Sequence, residues 1–441
     1  MVSSGQTAPG AAKAFASLLT PAGGRVLAAA SAAPDDPLKA ATVLRREAEE
    51  ALAAPEGAGG APDVSPADLA GAALTQVRLR ERARRKFGDR ARRMYFTGPG
   101  LEQATRRVAA EYRARRLAGA LGPGARVADL GCGIGADAVA MAEAGLEVEA
   151  VEADPLTAAV AAANAAELAP AGRMRVREGD AAAVDPGGRD AVFCDPARRT
   201  ARGRVFDPDA YSPSWDRVLD LAARAPASCV KAAPGIPHER IPAGAAAEWI
   251  SVDGELKETA LWQGLGGNWS RRATLLRGDG SHPAALTADP GAAPAPVAPP
   301  GRYLYEPDNA VVRAHLVAEA AALVGGALLD PDIAYITSDH LVATPLCRAF
   351  EVHRTMPFSL KRLRAELRER GAGTVTIKKR GSAVEVDKLL RDLRPSGPES
   401  AVVVLTRVGD RPLCLVCSEV TASPQTPFTE RTSRTSHHTG D

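Results

Sequence analysis

Between Leu101 and about Gly280, short apolar runs alternate with longer stretches of helical periodicity, an alternation that predicts a parallel sheet covered on both faces by helices. The runs are RVADL, LEVEAVEA, MRVREGD, DAVFCD, SCVKAAPG and, later, ALWQGL and RRATLLRG, with the crossover helix GADAVAMAEAG between the first two. Residues 1–100 read as helical and Ala-rich, interrupted by the loop APEGAGGAPDVSP. Ser65 supplies an N-cap there, and Pro66 opens a helix running through PADLAGAALTQVRLRERARRKF. Residues 281–301 form a Pro/Ala stretch without a core-forming pattern, expected to be a linker. A second folded unit is expected from 302 to 420, with a helix over Asn309–Val324. Helix, strand, helix and two strands then follow across PFSLKRLRAELRERG, TVTIKKRG, VDKLLRDLR, AVVVLTRV and PLCLVCSEV, the order of a small α+β domain. Residues 421–441 are polar and expected to be disordered.

A chain of 441 residues exceeds the usual single-domain size, in keeping with these regions. Lys and Arg number 55 against 53 Asp and Glu, so only local clusters could recruit nucleic acid. One cluster is Arg78, Arg80, Arg82, Arg84, Arg85 and Lys86, followed by Phe87, Arg90, Arg92, Arg93, Tyr95 and Phe96. Cations interleaved with aromatics suit a phosphate backbone with stacked bases, and they equally suit a solvated basic helix face. The N-terminus has no basic region ahead of an apolar core, and no segment approaches the ~20 apolar residues needed to span a bilayer, so a cytoplasmic protein is expected. Six cysteines are scattered. Cys414 and Cys417 would point to opposite faces of one strand, and no histidine cluster has matching spacing, so no metal site is expected.

The chemistry concentrates in VADLGCGIG, Val127–Gly135. Gly131, Gly133 and Gly135 permit positive backbone dihedrals and bring the main chain close to a ligand, and Asp129 adds a carboxylate at the strand's end. The same loop satisfies the dinucleotide pattern, because Gly131, Gly133 and Ala136 fit G-x-G-x-x-A and Glu152 follows about 20 residues on. Asp129 separates the two cofactors: it would repel a pyrophosphate and attract the ammonium of S-adenosylmethionine. Glu152 can take ribose hydroxyls in either cofactor. Asp180 in REGDA can accept from an adenine amino group, and DAVFCDPARR places Asp195 at the end of the fourth strand.

Taken together, residues 127–200 resemble the Rossmann-like core of a class I S-adenosylmethionine-dependent methyltransferase. The resemblance implies that Asp129, Gly131, Gly133 and Gly135 line the methionine end, Glu152 holds the ribose, and Asp180 lies near adenine. Asp195 borders the methyl position and is the best-placed general base. Carboxylates also close strands by capping the next helix, and Asp154, just before Pro155, is read that way. Relatives that methylate exocyclic amines carry an aromatic residue after D/N-P-P. Here Arg198 stands in that place and Ala197 replaces the second proline. This is similar to D-P-x-R variants, in which the guanidinium could bind a phosphate or a base edge. Cys194 is expected to point into packing, opposite Asp195. Lys231 is read either as a charge contact to substrate or as an exposed strand-end lysine.

The C-terminal PFSLKRLRAELRERGAGTVTIKKRGSAVEVDKLL resembles the THUMP-like domain fused to some bacterial methyltransferases, a name linked to RNA-holding modules of tRNA-modifying enzymes. Lys378, Lys379 and Arg380 end a strand without local partners and are expected to contact phosphates, as are Arg84, Arg85 and Lys86. Lys361, Arg362 and Arg364 start a helix and could contact phosphates in the same set, or be helix-surface charge balanced by Glu366 and Glu369. RNA-holding THUMP modules usually sit N-terminal with an extra small domain, and neither feature is identifiable here. The expected function is methylation of a base in structured RNA, tRNA or rRNA. The alternatives are a small-molecule methyltransferase, a non-catalytic RNA-binding protein on a methyltransferase scaffold, and an NAD-linked oxidoreductase.

Overall fold

The computed structural model describes residues 9–34, 36–54, 64–196, 199–200, 203–204 and 211–420. These residues form two units. One comprises the chain up to Ala247 together with Glu258–Asn268, and the other comprises Glu248–Lys257 and the chain from Trp269.

The first unit opens with helices α1 (Pro9–Leu18), α2 (Pro21–Ser31), α3 (Pro37–Ala53) and α4 (Pro66–Phe87). Prolines at first helical positions, where the missing N–H is no loss, follow capping side chains. Thr20 accepts from Gly23 N, Asp36 from Leu38 N and Lys39 N, and Ser65 from Asp68 N. The short α5 (Gly98–Gln103) and then α6 (Arg107–Leu121) lead into the sheet. Phe15, Leu18, Leu44, Leu69 and Phe87 share one apolar core with Ile134 of the glycine loop, so the helical N-terminal region packs on the sheet unit itself.

The chain continues as β1 (Arg126–Leu130), α7 (Ala136–Glu143), β2 (Glu147–Glu152), α8 (Pro155–Leu168), β3 (Met174–Glu178) and β4 (Ala191–Cys194). A small hairpin of β5 (Arg199–Thr200) and β6 (Gly203–Arg204) precedes α9 (Trp215–Ala223) and β7 (Ala227–Ala232). Next come β8 (Ala246–Val252) and β9 (Glu255–Gln263). Within the first unit the strand order is β3-β2-β1-β4-β7-β9, parallel except for the β7–β9 pair. β4 and β7 are buried at every position, which is why β4 (AVFC) reads as an unbroken apolar run rather than an alternating one, while Lys231 within β7 must find a partner inside. From β1 the chain goes to β2 on one side and later to β4 on the other. That reversal leaves a crevice at the carboxyl ends of β1 and β4, the place where such sheets bind ligands.

In the second unit β10 (Arg271–Leu276) pairs antiparallel with β11 (Ala284–Thr287), and Val297 bridges Leu328. The expected linker 281–301 therefore supplies a strand and a bridge: four residues suffice to satisfy backbone groups along an open edge, even without an apolar pattern. The unit continues with β12 (Tyr303–Pro307), α10 (Asn309–Arg313), α11 (Val317–Leu323), β13 (Ala327–Asp330), β14 (Ile333–Ser338) and β15 (Cys347–Pro357). It ends with α12 (Leu360–Glu369), β16 (Ala372–Lys379), α13 (Val386–Leu393), β17 (Glu399–Val408) and β18 (Arg411–Glu419). Strands β12 to β18 form a seven-stranded sheet in the order β13-β14-β12-β15-β18-β17-β16. The single helix expected over Asn309–Val324 is two, because His315 takes φ 55° and breaks the hydrogen-bond ladder. Cys414 packs with α12 and α13, and Cys417 packs in the separate cluster around Phe350 and Tyr335, as the alternation along β18 requires. The expectation for 421–441 falls outside the described residues. Among the described residues no helix is long and apolar enough to cross a membrane, and no group of His, Cys, Asp and Glu is assembled to hold a metal ion.

Candidate functional site

The glycine loop follows β1 without a break. Gly131 and Gly135 adopt φ 85° and 80°, a region that costs residues with a Cβ about 1–2 kcal/mol. At Gly135 an added Cβ would also stand 3.1 Å from Met174 Cε. Gly131 N and Cys132 N donate to Val151 O at 2.9 and 3.0 Å, fastening the loop to β2. Glu152, at the end of β2, accepts from Gly133 N and from Asp154 N, each at 2.9 Å. It thus braces the loop from the position expected to meet a ribose. Asp154 caps α8 by accepting from Thr157 N at 2.8 Å, the role read from its place before Pro155.

Asp129 is fully buried, and neither carboxylate oxygen has a hydrogen-bond partner. Burial, then the nearby Asp137 and Asp195, push its pKa well above the usual carboxylate value against the pull of Lys231. Around it lies a network drawn from distant parts of the chain. Arg113 of α6 pairs with Asp137 of α7 and with Glu258. Thr105 donates to Asp137 at 2.7 Å and receives Lys231 Nζ at 2.7 Å. Lys231 also pairs with Asp195 and lies 3.8 Å from Asp137. Burial alone would raise the Asp137 pKa, but Arg113, Lys231 and the Thr105 hydroxyl hold it below the usual value.

Of these groups, Thr105, Asp129, Asp137 and Asp195 open onto a cavity of about 1650 Å³ that also takes in the glycine loop and residues of α1 and α4. Asp129, Asp137, Glu152, Asp154, Asp180 and Asp195 line it, and among the described residues no lysine or arginine does. Asp180 caps a turn by accepting from Ala182 N at 2.8 Å. An orphaned buried carboxylate beside an open glycine cradle fits a ligand bearing an ammonium group. Among the described charged side chains that line the cavity, a pyrophosphate would meet only acids. S-Adenosylmethionine, cationic at both its ammonium and its sulfonium, fits the residues present, and a dinucleotide does not.

The chain is 36% identical over 341 residues to an uncharacterized S-adenosylmethionine-dependent methyltransferase of Mycobacterium tuberculosis, in strain CDC 1551 and equally in strain H37Rv, covering 75% of this chain and 91% of the relative. It belongs to the S-adenosylmethionine-dependent methyltransferases. Residues 347–419 of the methyltransferase match the THUMP domain-like family. Its fold resembles the crystal structure of a candidate methyltransferase from Porphyromonas gingivalis W83, with a TM-score of 0.65 at 21% identity, over 82% of this chain and 93% of that one.

Asp129, Gly131, Gly133, Glu152, Asp180 and Asp195 all reach one cavity, as their strand-end positions imply. Gly135 stands at the N-cap of α7 in the same loop. Cys194 is fully buried and burial pushes its thiol pKa well up, in keeping with a packing role. Arg198 lies outside the described residues. The reading of Lys231 as an exposed strand-end lysine is corrected, because it is 2% exposed and pairs with Asp195.

Lys86, expected at nucleic acid, instead donates to Leu101 O, Glu102 O and Ala104 O at 2.7–2.9 Å, capping the carbonyl end of α5. Arg84 and Arg85 are exposed, with Arg84 3.4 Å from Glu81. The aromatics among these cations are not a stacking platform: Phe87 and Phe96 are buried against each other, and Tyr95 lies between Phe15 and Arg80. The strand-end trio has partners after all. Lys378 meets Glu306 at 2.5 Å, Lys379 donates to Val384 O at 2.9 Å, and Arg380 reaches Asn309 Oδ1 at 3.5 Å and stacks over Tyr335. On α12 Glu366 turns to Arg370 at 2.6 Å, and Lys361, Arg362, Arg368 and Glu369 are exposed, as are Asp387, Lys388 and Arg391 of α13. Sequence reasoning missed Thr105, Arg113, Asp137 and Glu258. The one local hint was a lone Asp inside the apolar crossover helix, a charge that burial obliges to find a partner.

Proposed function

We propose that this methyltransferase methylates a base of structured RNA, tRNA or rRNA. In this reading Asp129, Gly131, Gly133, Gly135, Glu152 and Asp180 hold S-adenosylmethionine, and Asp195 faces the acceptor. When bound, the cofactor supplies a methyl group whose bond to the sulfonium sulfur breaks with its electron pair left on sulfur. The chain's own part is alignment and proton removal. The glycine loop and Glu152 fix one wall, Asp129 provides the buried counter-charge, and Asp195 accepts the proton given up by the acceptor atom.

The match of residues 347–419 to the THUMP domain-like family carries the RNA reading. The exposed cations of α12 and α13 support it, because phosphate neutralisation supplies most non-specific RNA affinity. The test is transfer of tritiated methyl groups to total RNA from cells lacking the gene, followed by nucleoside mass spectrometry. Incorporation into one modified base is expected. Cofactor binding by calorimetry without incorporation into any RNA would sink the substrate class and favour a small-molecule acceptor.

A further inference from the structure

We propose that Lys231 is the positioning residue of the acceptor site: from the buried end of β7 its ammonium fixes one oxygen of Asp195 and leaves the other for the acceptor group. The proposal rests on the reading of Asp195 as the proton acceptor. A lysine only 2% exposed has lost most of its hydration, a cost of several kcal/mol that close, well-formed partners must offset. Its partners are few and directional. Nζ meets Thr105 Oγ1 at 2.7 Å and Asp195 Oδ2, with Asp137 Oδ2 at 3.8 Å. Asp137 is also served by Arg113 and Thr105 and lies farther from the ammonium than Asp195 does, so the direct partner of Lys231 is Asp195. Asp195 has the opposite need. Among the described residues, the titratable and charged groups acting on it include Asp129 from β1, Cys194 from β4, Arg113 from α6 and Lys231 from β7, with Asp137 of α7 sharing the same ammonium, and Arg113 is shared between Asp137 and Glu258. Of these cations, Lys231 is the one that pairs with Asp195 directly. Its side chain is 23% exposed and lines the cavity, so the oxygen not held by Lys231 is open to the acceptor's N–H or C–H. Thr105 bridges Lys231 to Asp137 and so ties this geometry to the start of α6, next to the glycine loop's own helix.

The experiment labels the aspartate 13Cγ atoms of the full chain and assigns Asp195 by the loss of its resonance in Asp195→Asn. The Asp195 resonance is then followed across pH in wild type, Lys231→Met and Lys231→Arg. In Lys231→Met the carboxylate signal is expected to give way to the protonated one at a pH about one unit or more higher than in wild type, the effect of removing an opposite charge within hydrogen-bond reach. Lys231→Arg is expected to restore most of that difference. Lys231→Gln, which keeps a donor toward Thr105 without the charge, gives the same reading should the Met variant fail to fold. An Asp195 titration unchanged in the uncharged variants overturns the proposal. In the RNA methylation assay the acid limb of the pH–rate profile moves to higher pH in Lys231→Met and returns in Lys231→Arg. A wild-type protein that methylates no RNA refutes the substrate reading alone, since the resonance titration needs no substrate.

Discussion

A buried carboxylate with no hydrogen-bond partner is the most consequential residue of this molecule. Asp129 is retained at a cost to the apo fold, because burial and its acidic neighbours raise its pKa. The native state therefore binds a proton that the unfolded chain releases at the ordinary carboxylate value, and apo stability falls as pH rises from that value toward the raised one. Asp129→Asn is expected to remove this slope, as measured by chemical denaturation across pH. A cationic ligand favours the ionised carboxylate, so cofactor affinity is expected to rise with pH over the same window. Calorimetry in buffers of different ionisation enthalpy should then report release of up to about one proton per cofactor bound. At neutral pH Asp129→Asn is expected to weaken cofactor binding by ~10–100-fold, the worth of a charge-assisted hydrogen bond. Asp137 behaves oppositely: its pKa is held low, so its contribution is present above the usual carboxylate value and lost as pH falls.

At the scale of elements, local sequence carried the glycine loop, because strand, turn and helix cap lie within a dozen residues and each obeys a short-range rule. The same rules located Pro66 behind Ser65 and placed Asp154 before Pro155. They misassigned the cations. Lys86 looked solvated on the helix surface, yet α5 lies against α4 and offers three carbonyls to its ammonium. Lys86→Met is expected to cost about 1 kcal/mol of stability by urea denaturation, the effect of losing hydrogen bonds to partly buried carbonyls, with RNA affinity unchanged. Lys378 looked unpartnered because its acid, Glu306, is 72 residues away. Local charge counting also set Glu366 against Arg362, although rotamer and register give it to Arg370.

For the whole molecule the decisive quantity is the sign of charge at two places. The cavity is lined by acids, which suits a cation, whereas the exposed charges of α12 and α13 are the five cations Lys361, Arg362, Arg368, Lys388 and Arg391 against Glu369 and Asp387. Reversing Lys361, Arg362 and Arg368 to Glu is expected to weaken RNA binding by at least ~10-fold in filter binding. It should also flatten the dependence of log affinity on log salt by roughly one unit for each phosphate left without its cation, with cofactor affinity untouched. The sequence by itself determined the α/β class, the strand ends that carry Asp129, Glu152, Asp180 and Asp195, and the choice of a cationic cofactor over a dinucleotide. Those features depend on periodicity and on neighbours along the chain. Only the tertiary structure decided which charges are paired inside the molecule and which remain at its surface. Thr105, Arg113, Asp137, Lys231 and Glu258 come from separate elements, and they become one network because burial in a low-dielectric core forces each charge to meet another.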